Sequence, residues 1–72
     1  MSTGENIHVV AEGEGWSVIR ENSKEVLDTK DRKEDAIDVG REVARTDGVE
    51  LVIYNEDGSV DEKKYDGNGD KP

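Results

Sequence analysis

The sequence predicts an α+β fold of order ββαββ, a small antiparallel or mixed sheet with one helix packed on one face. Three observations carry that expectation. Apolar residues recur at helical spacing between Asp31 and Gly48. On both sides of that segment they alternate with polar ones, the period of a half-buried strand. Each flank also holds an acidic, Gly-containing stretch suited to a hairpin turn, Glu12-Gly13-Glu14-Gly15 and Asn55-Glu56-Asp57-Gly58.

In chain order, residues 1–5 are polar and expected to fray, as are residues 66–72 at the other end. Asn6 to Ala11 alternates, with Ile7, Val9 and Ala11 on one side. Trp16 to Arg20 returns as the second strand, placing Trp16 and Val18 on that same side. Glu21 to Lys30 reads as a polar connection in which Val26 and Leu27 form a short strand extension or a plug over the core. The helix follows. Its stripe is Ala36, Ile37, Gly40, Val43 and Ala44, widened by Val39. Asp31 with Glu34 has the form of a capping box, and Thr29 is a second candidate cap. Acidic residues open the helix, Arg41 and Arg45 sit in its later turns, and Gly48 is a natural stop. Gly40 costs about 1 kcal/mol relative to alanine in mid-helix, which points to close approach of the helix to the sheet. Val49 to Tyr54 is the strongest strand pattern, with Val49, Leu51 and Ile53 inward. Ser59 to Tyr65, charged at Asp61, Glu62, Lys63 and Lys64, reads as a last edge strand.

The 72 residues make one small domain. Its apolar stock is lean: two Leu, four Ile, nine Val, one Trp, two Tyr and no Phe or Cys. No disulfide can supplement such a core, and domains this lean gain from self-association. The formal charge is −9, and the acidic residues are spread evenly along the chain. Even spacing argues against an acidic tail and suits a protein kept soluble in high salt, where repulsion is screened. It favours a halophilic source over an ordinary acidic mesophilic one. Direct binding to nucleic acid is disfavoured, because no basic patch exists to neutralise phosphates. No apolar run is long enough to cross a bilayer, and MSTGENIHVV lacks the form of a signal peptide. A cytoplasmic protein is expected.

The chain resembles the small prokaryotic domain-of-unknown-function family 2188. NIHVV near the start, Gly15-Trp16, DAI and GREVA in the helix, ELVI at Glu50 to Ile53, Asp57-Gly58 and the closing YDGNGDKP carry the resemblance. Ala11 stands where the family usually has proline, and the family's aromatic-rich ending is thinner here. The resemblance implies a compact β-α-β domain and brings no catalytic residues with it.

Residues that could carry chemistry point elsewhere. His8 is the sole histidine, so a zinc site lacks ligands. Ser17, Ser23, Ser59 and Thr29 cannot be tied to it by spacing. Asp66 to Asp70 starts like a calcium loop, but Lys71 replaces the required glycine and no terminal glutamate follows. Asp57, Ser59 and Asp61 alternate as strand residues do, allowing weak cation condensation and no defined site. Trp16 reads as core under the helix and less well as a stacking platform for a ligand. The domain has little room for a pocket that would shift a carboxylate pKa, so a non-enzymatic role without cofactor or metal is expected.

One face of the sheet remains uncovered in this reading. It should carry His8, Val10, Ser17, Ile19, Val52 and Tyr54. Contiguous apolar surface in so acidic a chain marks an interface. The expectation is a non-catalytic interaction module forming a homodimer through Val10, Ile19, Val52 and Tyr54, with His8 at the rim; the identity of any other protein partner is open. The alternative is an acidic protein that occupies a basic, nucleic-acid-binding partner. A small hydrolase would require a pocket joining His8 to a hydroxyl or carboxylate.

Overall fold

A computed structural model describes residues 4–61. Residues 62–65 of the expected last strand and the calcium-loop-like Asp66 to Asp70 lie outside the described residues. The strands are β1 (Ile7–Glu12), β2 (Gly15–Arg20), β3 (Val26–Lys30) and β4 (Leu51–Ile53), and helix α1 (Lys33–Asp47) lies between β3 and β4. The class is α+β, a mixed four-stranded sheet of order β3-β2-β1-β4 with the helix on one face.

Among the described residues the order of elements is βββαβ, which corrects the expected ββαββ by a strand between β2 and the helix. Val26 and Leu27 begin a strand of their own, so the strand alternative holds in a longer form. β3 runs antiparallel to β2, pairing Trp16 with Lys30, Ser17 with Thr29, Val18 with Asp28 and Ile19 with Val26. The register slips between Val18 and Ile19, leaving Leu27 as the extra residue of a β-bulge. That residue packs against the core. The bulge breaks the period of two, which is why the strand pattern was hidden. Beyond β4 the expected edge strand is represented, up to Asp61, by one bridge, Tyr54 with Val60, and by the Asp61 N–H donating to the Ile53 carbonyl at 2.7 Å.

β1 is central, antiparallel to β2 and parallel to β4. Its hairpin with β2 closes on Gly13-Glu14, where Gly13 takes φ 61°. Gly15 is there for space: a Cβ on it would lie 2.6 Å from the Lys30 carbonyl oxygen. Ile7, Val9, Trp16, Val18, Leu51 and Ile53 from the sheet bury against Ala36, Ile37 and Ala44 of the helix. Val39, Val43 and Val49 pack around them.

The helix ends as expected and starts otherwise. Gly48 is left-handed at φ 72°, its N–H donating to Arg45, while the Val49 N–H donates to Ala44. This is the double hydrogen bond of a Schellman stop. At the start Arg32 is the capping residue with no side-chain cap bond, so neither Asp31 nor Thr29 caps. Thr29 is held in β3, and Asp31 falls one residue too early for its side chain to serve as the cap. Gly40 does mark the close approach: a Cβ there would lie 2.8 Å from Leu51 Cδ1 and 3.0 Å from Val9 Cγ2.

Candidate interaction face

Strand register builds the sheet face opposite the helix, which no element among the described residues covers. Val26, Ile19, His8 and Val52 form one row across all four strands. Thr29, Ser17 and Val10 form the next, and Tyr54 follows two residues after Val52. His8, Val10, Ser17, Ile19, Val52 and Tyr54 therefore come together as the alternation requires. None of the apolar ones is fully buried: Val10, Ile19, Val52 and Tyr54 stay partly exposed. Val26, at 54% exposure, joins them and was missed because the bulge disguised which way β3 faces.

His8 is not at the rim. It sits on the central strand between Ile19 and Val52, and its side chain is only 12% exposed. The Tyr54 ring lies against it, centroids 5.1 Å apart at 53°. Burial pushes the imidazole pKa below the ordinary histidine value; Glu21, 4.0 Å away, opposes that shift and Lys24 adds to it.

Charge is distributed unevenly about this face. No Asp, Glu, Lys or Arg occupies its two central rows. Acids stand at the ends instead. Glu12 accepts a 2.7 Å hydrogen bond from the buried Ser17 hydroxyl, Glu21 follows β2, and Glu50 precedes β4. The helix side is the charged one, with Glu34, Asp35, Asp38, Glu42 and Arg45 exposed. Ion pairs tie that side together. Arg20 donates to Asp47 at 3.0 Å and to Glu25 at 3.1 Å, contacts that raise its pKa further above the ordinary arginine value, led by the bond to Asp47.

Both sheet edges are guarded. On β3 Asp28 and Lys30 occupy helix-side positions beside the bulge, and inward charges with a bulge discourage edge-to-edge pairing. The outer side of β4 is engaged by the returning chain at Val60 and Asp61.

Trp16 belongs to the core under the helix, as expected, and two open hollows adjoin it. One, of about 340 Å³, lies between β2 and β3 and includes Glu12, Ser17, Thr29 and Lys30. The other, of about 570 Å³, includes Lys33, Asn55, Glu56 and Asp57. Lys33 is engaged there: its ammonium is 2.7 Å from Asp61, 3.2 Å from Asn55 and 5.4 Å from the centre of the Trp16 ring. Among the described residues no group of three His, Cys, Asp or Glu could hold a metal ion. No helix among them is long and apolar enough to cross a membrane.

Residues 7–64 match the profile of a family described as uncharacterized protein conserved in bacteria (DUF2188). The chain is similar to the uncharacterized protein YdaT of Bacillus subtilis (strain 168), with 39% identity over 56 residues. That alignment covers 78% of this chain and 37% of the relative, so the chain spans little more than a third of that protein's length. No solved structure matches.

Proposed function

The chain belongs to the DUF2188 family, and from that premise we propose that it is a non-catalytic interaction module that self-associates through its uncovered sheet face. One observation carries this reading. A chain of formal charge −9 keeps every charged side chain out of the two central rows of that face, while the helix side is studded with them. A basic partner would be met by acids at the contact. An uncharged, half-exposed surface of Val10, Ile19, Val26, Val52 and Tyr54 instead matches a surface of its own kind, and a two-fold dimer supplies one.

Size is consistent with this. A stable dimer hides on the order of 800 Å² per partner, and the molecule is 30 by 27 Å broad and 18 Å thick. The guarded edges leave the face as the route of association. Salt should favour it, because net charge repels two copies and screening removes that repulsion. The setting that fits is a cytoplasm of high ionic strength.

The test is molar mass by light scattering across protein concentration and salt. A dimer that forms with concentration and strengthens with salt is the expected result. Ile19→Lys should keep the circular dichroism of the parent and remain a monomer. A parent chain that stays monomeric throughout overturns the reading. Binding of a basic protein that weakens steeply with salt, without self-association, favours the acidic-decoy alternative.

A further inference from the structure

We infer that His8 makes this self-association pH-gated: two copies close face to face while the imidazole is neutral and part when it takes up a proton. The inference rests on the self-association proposed above and adds its regulation.

His8 lies in the middle strand with Ile19 on one side and Val52 on the other, so a second copy seated on the face covers it. Its side chain is already 12% exposed, and little water remains to solvate a charge. The groups around it cannot supply full compensation. Tyr54 presents a neutral ring. Glu21, at the end of β2, is 4.0 Å away with a side chain 42% exposed, beyond hydrogen-bond reach and solvated. Lys24, in the loop after β2, repels a cation. Glu50 stands at the edge of the same face, before β4, and α1 lies on the opposite face. Burial already depresses the imidazole pKa in the single chain, and covering the face continues that trend.

A two-fold contact contains this histidine twice. Release of two protons per dimer gives an association constant that falls towards about a hundredfold per pH unit below the imidazole pKa. The carboxylates respond in the opposite sense: acid removes their charge and strengthens association. The histidine effect is therefore recognisable by its direction.

The experiment is sedimentation equilibrium of the full chain at fixed high salt, between about pH 8 and about pH 5, the range in which histidine titrates. The parent should dissociate towards acid, and His8→Gln should stay associated or tighten. Because His8 is the sole histidine, its imidazole proton resonance is a second readout that needs no variant. Its titration midpoint should fall as protein concentration rises. A dimer that is equally tight or tighter in acid, or a midpoint independent of concentration while dimers form, overturns the gate alone. No association at any pH overturns the contact as well, so the two failures are distinct.

Discussion

Gly40→Ala tests the packing that holds the helix to the sheet. The new Cβ would sit 2.8 Å from Leu51 Cδ1, 3.0 Å from Val9 Cγ2 and 3.7 Å from Ile7 Cγ2. Relaxed carbon contacts lie at roughly 3.5–4.0 Å, so two of the three are too short. Leu51, Val9 and Ile7 are at most 1% exposed, leaving them no solvent to move into. Alanine contributes about 1 kcal/mol of helix propensity, against roughly 1–3 kcal/mol for overpacking. The expected net is a loss of about 1 kcal/mol, some 4–8 °C in Tm for a domain of this size. Leu51→Val withdraws the nearest methyl at its own cost of about 1 kcal/mol. In that background Gly40→Ala should become neutral or stabilising, a coupling of about 1–2 kcal/mol. The assay is urea unfolding followed by Trp16 fluorescence, since the sole Trp is buried in this core. Protein concentration is held low so that association does not enter the balance. Stabilisation of the parent by the full propensity gain, with additive effects in the double variant, would refute the close-approach argument.

Gly15→Ala meets a carbonyl rather than a flexible methyl, so nothing yields: a loss of about 1–3 kcal/mol in the same urea assay is expected. Asp47→Ala removes the carboxylate that leads the hydrogen bonding of Arg20 and should lower the urea midpoint in the same assay, by more than Asp28→Asn does. Asp28→Asn, at a pair 40% exposed on both sides, should shift stability by less than about 0.5 kcal/mol. In dilute solution the depressed His8 pKa sets a sign. The unfolded chain takes up the proton first, so stability is full above the ordinary histidine pKa and declines as pH falls below it. Thermal melts should show that decline in the parent and not in His8→Gln.

Much of the fold is legible because it depends on neighbours along the chain. Ala36, Ile37, Gly40 and Ala44 line up at helical spacing, and Gly48 stops the helix where glycine takes φ 72° at no steric cost. The alternation in β1, β2 and β4 places Ile7, Val9, Trp16, Val18, Leu51 and Ile53 inward and the candidate face outward. β3 escaped because its bulge puts Leu27 and Asp28 where alternation would not. The cap residues misled for a related reason: Asp31 and Thr29 suit a cap chemically, but pairing of Thr29 with Ser17 commits the preceding chain to the sheet. The rim position assigned to His8 failed because it depended on strand order.

By itself the sequence determined the class, the helix, the inward and outward sides of three strands, and the charge that any partner must tolerate. These follow from local periodicity and composition. Only the tertiary structure decided that β4 lies parallel beside β1, that β3 completes the sheet, and that His8 stands in the middle of the uncharged face. Hydrogen bonds between strands far apart in the chain set those neighbours, as when the Ile7 N–H reaches the Glu50 carbonyl at 2.9 Å. The backbone groups that make such bonds are the same in nearly every residue, so the side-chain pattern leaves their pairing open.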